Sequence, residues 1–243
     1  MTSRTAGASL PNLKVFVGTS GWYYGWNPDR TLDWYLARSG LNAIELNASF
    51  YRFPWKNQVL SWARKGTPLS WAVKVNRAVT HTHQFNERGF EIWKQFFDAF
   101  APLDNYIRFY LFQAPPRFTN LDRAIRFADD AGLGARFALE IRNAPLLSEN
   151  RAWQTLGEHL VPVSVDSPDI TNRIFPGKVI YLRMHGRTSW YNHFYTGDEL
   201  RETTRLILAN EPDEVYVFFN NDHAMLENAR KMIVLLNPGN VTG

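Results

Sequence analysis

The sequence predicts an α/β fold of the (β/α)8 TIM-barrel type, on three observations. Short apolar, β-branched or aromatic runs recur eight times along the chain. Amphipathic stretches of helical length fill most of the gaps between them. The runs are apolar on both faces, as in a parallel sheet covered by helices. Eight such strands suit a closed barrel, and 243 residues is an ordinary length for one. An open doubly wound sheet is the alternative topology.

The strands are expected at Val15–Thr19, Ala43–Asn47, Trp71–Asn76, Ile107–Gln113, Phe137–Arg142, Val161–Asp166, Val179–His185 and Val215–Asn220. Helices are expected at Leu32–Arg38, Lys56–Lys65, Phe90–Phe100, Leu121–Ala131, Asp198–Leu208 and Ala224–Leu235. Gly or Pro punctuates the junctions, as in Ser39-Gly40 and Gly66-Thr67-Pro68. Ser167–Gly177 bears proline and has no helical period, so the unit after strand six is expected to be irregular, a long loop in place of a helix. Residues 1–12 lack the apolar stretch of a signal peptide and read as a flexible leader, leaving 13–238 as one barrel domain.

Composition narrows the function classes. No apolar run approaches the length of a membrane span. With no cysteine, disulfides, thiolate metal sites and a cysteine nucleophile are excluded, and the simplest compartment is the cytoplasm. A net charge of +4 and a pI near 9.3 favour an anionic partner.

Chemistry in a barrel sits at the C-terminal strand ends, where the βα loops open. Four strands end polar-x-polar: Glu45-Leu46-Asn47, Lys74-Val75-Asn76, Glu140-Ile141-Arg142 and Arg183-Met184-His185. Strand side chains alternate faces, so if Leu46, Val75, Ile141 and Met184 meet the helices, the polar pairs point into the mouth. Gln113, Asp166 and Asn220 add polar groups at three more strand ends, giving the convergent polar cluster of a small-molecule site. His81 follows the third strand. Aromatics crowd the loops after strands one, two and seven, including Trp22, Tyr24, Tyr51 and Trp190, with Arg52, Lys56, Arg77, Arg117, Arg173 and Arg187 nearby. Such residues can stack on bases or sugars and hold phosphates, or they can roof the barrel by packing on one another. The charges have a structural reading too, in which they neutralise one another at the barrel end.

In these segments the chain resembles the DUF72 (YecE-like) family: Val17-Gly18-Thr19-Ser20-Gly21-Trp22, Glu45-Leu46-Asn47-Ala48-Ser49-Phe50-Tyr51-Arg52, Lys74-Val75-Asn76-Arg77 with Thr80-His81, Leu111-Phe112-Gln113-Ala114-Pro115-Pro116, Glu140-Ile141-Arg142, Tyr181-Leu182-Arg183-Met184-His185-Gly186 and Phe218-Phe219-Asn220-Asn221-Asp222. The segments occur in order from residue 15 to about 235. Ala48 and Ala114 depart from the family pattern, standing where a polar and an apolar residue are expected, and neither removes a group on which the reading of the mouth relies. The resemblance implies a TIM barrel and no established activity.

Glu140, Asp166, His185 and Asp222 have the ligand chemistry for Zn, Mn or Mg, as in metal-dependent phosphodiester hydrolases. Lys74, Arg142 and Arg183 share the mouth and disfavour a further cation, so no cofactor is expected and the metal reading is an alternative. The main expectation is an enzyme acting on an anionic sugar- or nucleotide-like substrate, with His185 as general acid/base, Glu45 or Glu140 as its partner, and Arg142, Arg183 and Lys74 holding the anion. Asn47, Asn76, Gln113, Asp166, Asn220, His81, Trp22, Tyr24 and Tyr51 complete the expected binding residues. A non-catalytic nucleotide- or nucleic-acid-binding module is the other open class. No Walker or dinucleotide glycine motif is present.

Overall fold

The structure, a computed structural model, describes residues 12–237. The expected leader over 1–12 lies outside the described residues except for Asn12, as does residue 238. Eight parallel strands close a barrel in sequence order: β1 (Lys14–Thr19), β2 (Ala43–Leu46), β3 (Ser70–Lys74), β4 (Ile107–Gln113), β5 (Phe137–Glu140), β6 (Val161–Asp166), β7 (Val179–Met184) and β8 (Glu214–Phe219). β8 closes on β1 over its full length, from Lys14 opposite Glu214 to Thr19 opposite Phe219. Gly18 lets β1 approach β2 closely, since a Cβ there would stand 2.3 Å from the Ala43 carbonyl oxygen.

The barrel floor is packed by size. Ala43, Ala72 and Ala138 on β2, β3 and β5 leave room for Phe109 on β4, Tyr181 on β7, and Tyr216 and Phe218 on β8. Phe109 meets Tyr181 and Tyr216 edge-on, with ring centroids 5.0 and 4.8 Å away. Such geometry adds quadrupole attraction to apolar burial. Leu46, Val75, Ile141 and Met184 are buried in the outer core against the helices. The strand alternation expected from the sequence is therefore the one the barrel adopts.

The helices are α1 (Leu32–Arg38), α2 (Lys56–Lys65), α3 (Glu87–Phe100), α4 (Leu121–Ala131), α5 (Ala144–Ser148), α6 (Asn150–His159), α7 (Gly197–Leu208) and α8 (Met225–Leu236). α3 begins three residues before its expected start, because the Asn86 side chain accepts from Gly89 N–H and caps the added turn. α5 and α6 were not among the expected helices. Pro145 sits in the first turn of α5, where its missing N–H breaks no helical hydrogen bond. No helix follows β6. Ser167–Gly177 is a loop pinned by an antiparallel bridge between Val165 and Arg173 and by Phe175 stacked on Trp153 at 3.7 Å. Among the described residues no helix is long and apolar enough to cross a membrane.

Phe109→Ala removes the ring at the centre of the barrel floor. Urea denaturation should show a loss of about 3–5 kcal/mol, and a loss below about 1 kcal/mol would contradict this packing.

Candidate functional site

Two residues above the apolar floor on the same inward face, the barrel turns polar. Ala43 is followed by Glu45, Ala72 by Lys74, Leu111 by Gln113, Ala138 by Glu140, Tyr181 by Arg183 and Phe218 by Asn220. Arg183 is fully buried at the centre of this layer. Its Nε and Nη2 donate to the two oxygens of Glu45 at 2.9 and 2.7 Å, and its Nη1 donates to Glu140 Oε2. Tyr181 and Ser20 hydroxyls occupy the other lone pairs of Glu45 at 2.7 and 2.8 Å. Glu140 Oε1 accepts from Arg142 Nε at 3.0 Å and lies 3.2 Å from His185 Nε2.

These contacts fix the charge states. Burial alone would raise the Glu45 carboxyl, but Arg183, Tyr181 and Ser20 outweigh it and hold Glu45 below the usual carboxylate range. Burial of Glu140 is likewise overcome by Arg183, Arg142 and His185, which hold it well below that range. Both are standing carboxylates: Glu45 has a donor on each of its four lone pairs and none free to carry a proton, and Glu140 has three donors. His185 is fully buried and pushed down to about 4 by desolvation and Arg183, against the pull of Glu140, so it is neutral at pH 7. Its Nδ1 lies 3.3 Å from Asn220 Nδ2, which can only donate; Nδ1 is therefore the acceptor, and Nε2–H donates to Glu140.

Arg142 is half-buried beside this layer. Its Nη1 donates to Tyr191 OH at 3.0 Å, and its guanidinium lies 4.7 Å over the Trp190 ring. Its Nη2 has no partner among the described residues. Tyr191 holds a left-handed φ of 65°, fixed by donation from its N–H to the His185 carbonyl at 2.7 Å. Gly186, at φ 106°, makes the turn that permits this, since a Cβ there would stand 2.7 Å from Ser189 O. Non-glycine residues in this conformation concentrate where a loop is held for function. Lys74 lies 4.1 Å over the Phe50 ring, and His81 packs edge-on against the same ring at 5.1 Å. Tyr24, half-buried, is pushed up to about 12, first by burial and then by the Asp222 and Glu45 charges.

Several expected binding residues stand elsewhere. Asp166 is a correction: Val161 and Val163 point inward, so Asp166 points outward. There it takes Arg187 Nε at 3.1 Å, Tyr195 OH at 2.7 Å and the Asn172 N–H at 2.6 Å, anchoring the loop between β7 and α7. Trp22 is also a correction, packed edge-on against Trp71 and Trp62 between the barrel wall and α2. Asn76 spends its amide on Ser49 O and the Ala78 N–H. Arg183, expected as an anion holder, has all three nitrogens turned to carboxylates and no exposed edge. Tyr51 is 73% exposed on the rim. The side chains of Asn47 and Gln113 make no hydrogen bond among the described residues, and Asn47 Oδ1 is sealed from solvent. Tyr181, Ser20 and Tyr191 are site residues that sequence reasoning missed. For Tyr181 the signal was present, two positions before Arg183 on the same face.

Among the described residues no group of three or more His, Asp or Glu is placed to hold a metal. Glu140 turns to arginine and Asp166 faces outward, so the four residues of the alternative metal reading do not converge. A groove of about 820 Å³ between α3 and α4 is lined by Arg88, Arg123 and Arg126 with Glu87, Glu91 and Asp130. It contains none of the shifted groups described above, which gather at the mouth.

Arg183→Met should strand two buried carboxylates and cost about 3–5 kcal/mol, and adding Glu45→Gln and Glu140→Gln should recover part of that loss in thermal unfolding. The pH profile carries a second expectation. The folded value of His185 lies below its unfolded value, so the unfolded chain binds the proton first as pH falls. The His185 contribution to stability should therefore be fully present above about pH 6.5 and decline toward pH 4. The lowered Glu45 and Glu140 add a further loss below their unfolded value of 4.5. His185→Asn should flatten the upper part of this decline, and an unchanged profile would place the proton uptake elsewhere.

The family model of DUF72, described as a protein of unknown function, matches residues 16–242. No protein of curated function matches the sequence. A DUF72 family protein from Enterococcus faecalis V583, in two crystal structures, superposes with TM-scores of 0.77 and 0.75 at 21% and 23% identity, covering 92% of this chain and 95% and 98% of that one. A methyltransferase from Methanosarcina mazei superposes at 0.51 with 13% identity, over 92% of this chain and 94% of that one. At these identities the likeness is one of fold. With the family match running from the first strand to past the last helix, the chain belongs to the DUF72 family.

Proposed function

We propose that the C-terminal mouth of the barrel is the active site of an enzyme acting on a small anionic substrate of sugar- or nucleotide-like chemistry. One observation carries this reading. The polar layer sets two carboxylates, Glu45 and Glu140, against three cations, Arg183, Arg142 and Lys74, and Lys74 has no carboxylate partner among the described residues. In its protonated form Lys74 is an uncompensated positive charge in a largely desolvated mouth, and such a charge attracts an anion. Arg142 is the cation best placed to hold it. One nitrogen is free, the guanidinium plane is set by Glu140, Tyr191 and Trp190, and a planar fork suits carboxylate or phosphate. Asn47, Gln113 and Asn220 offer amides for orienting the rest of the ligand. Proton transfer falls to the imidazoles, because Glu45 and Glu140 are locked as carboxylates. His81, half-buried, stands at the mouth, and His185 lies beneath it, backed by Glu140 and reached through the amide of Asn220 on its Nδ1.

A second reading, nucleotide or single-strand binding without turnover, draws on the exposed rings of Tyr23, Tyr51, Trp55 and Phe194 and on the basic residues near them. Salt separates the two. A polyanion bound along the rim loses affinity steeply with salt, whereas one small anion in the mouth does so weakly.

Calorimetry with sulfate, phosphate and phosphorylated sugars tests the main reading. Arg142→Ala should weaken binding by about a hundredfold while thermal stability changes little. If Arg142→Ala unfolds the protein while the parent binds none of these anions, the arginines are structural.

A further inference from the structure

Lys74 is the group the charge network leaves over. The oxygens of Glu45 are taken by Arg183, Tyr181 and Ser20, and those of Glu140 by Arg183, Arg142 and His185. The Lys74 amine has no hydrogen bond or ion pair with any described residue, and only the Phe50 ring lies beneath it. The side chain is 8% exposed, and its nitrogen is not among the sealed polar atoms, so that exposure reaches the mouth. A lysine present for stability would meet a carboxylate or extend into water, because burying an unpaired ammonium is costly. This one does neither, and it projects inward from the C-terminal end of a barrel strand, where barrel chemistry is done.

We propose that Lys74 is a nucleophile that forms an imine with the carbonyl carbon of a small aldehyde or ketone whose anionic group is held by Arg142. The assignment of the anion to Arg142 rests on the function proposed above. The amine is in the right form for this step. Burial first, then Arg183 and Arg142, push it down to about 7, against the opposing pull of Glu140 and Glu45. Near neutral pH a large fraction is therefore uncharged, which is how desolvation activates a lysine toward carbonyls. His81, which packs on the Phe50 ring as Tyr51 does, is held near 4 by burial, Lys74 and Arg77 and does not add charge.

In the step itself the Nζ lone pair forms the C–N bond while the carbonyl π pair moves to oxygen. One Nζ proton passes to that oxygen, giving a neutral carbinolamine. A proton from solvent at the mouth then lets the C–O bond break with its pair. Water leaves, and the nitrogen lone pair closes C=N as a protonated imine. Carbonyl, amine and one proton become iminium and water, with no oxidant or reductant. The iminium is an electron sink for removing a neighbouring proton or breaking a neighbouring carbon–carbon bond.

The test traps the imine in the full-length protein. Glycolaldehyde, which has no charge, and pyruvate and dihydroxyacetone phosphate, which are anionic, are each incubated with the protein and reduced with sodium borohydride. Peptide mass spectrometry then locates the secondary amine among the seven lysines. At pH 7 Lys74 should be labelled at least about tenfold more than any other lysine, with a midpoint near 7 where ordinary lysines titrate near 10.4. Lys74→Arg should abolish labelling at that site. Equal labelling of Lys74 and the surface lysines by all three probes, in protein shown to be folded, overturns the proposal. The anion clause is read separately. The anionic probes should saturate at lower concentration than glycolaldehyde, and Arg142→Ala should remove that advantage. Selective labelling of Lys74 by glycolaldehyde with no advantage for the anionic probes upholds the nucleophile and overturns the anion site.

Discussion

The burial of Arg183 between Glu45 and Glu140 is the interaction on which the mouth depends. A guanidinium with no exposure must be neutralised, and one carboxylate would leave part of its donor fork empty. Two carboxylates from β2 and β5 meet the arginine of β7, so three strands far apart in sequence are tied across the barrel. Each carboxylate then needs further donors. Tyr181 and Ser20 complete Glu45, while Arg142 and His185 complete Glu140. Apolar side chains of similar volume would stabilise a barrel at least as well. What the ion cluster supplies is position, because each member holds the next at a set angle.

That positioning radiates upward. Glu140 orients Arg142, and Arg142 with the left-handed Tyr191 fixes the edge of the loop after β7. A second network works from the outside of the same loop. Asp166 gathers Arg187, Tyr195 and the Asn172 backbone, and Asn228 of α8 accepts from the Tyr195 N–H at 3.1 Å. The roof over His185 is thus held from both faces of the sheet, and among the described residues of the polar layer the Lys74 amine is left without an anion bonded to it.

Most of this architecture was legible in the chain. Strand alternation placed Leu46, Val75, Ile141 and Met184 outside and Glu45, Lys74, Glu140 and Arg183 inside. It was misjudged at Asp166, where a polar residue at a strand end was read as mouth-facing although Val161 and Val163 had already set the opposite parity. Trp22 was misread because aromatics after a strand can roof a barrel or wedge beside it, and composition does not choose between the two. The helices after β5 were not among the expected ranges, and Pro145 in the first turn of α5 does not oppose the helix, because its missing N–H breaks no helical hydrogen bond there.

What the sequence determined by itself was the period, the length and the chemical inventory: eight strands, which side chains face inward, and which titratable groups arrive at one end. Those are local properties, set by alternation along each strand. Partner choice was decided by the tertiary structure. Glu45 and Arg183 lie 138 positions apart, and nothing local says that their charges cancel rather than wait for a ligand. Closure of the barrel brought them within hydrogen-bond reach, sealed them from water and left Lys74 as the unpaired amine. Pairing energies depend on distance and dielectric, and both exist only once the chain has folded.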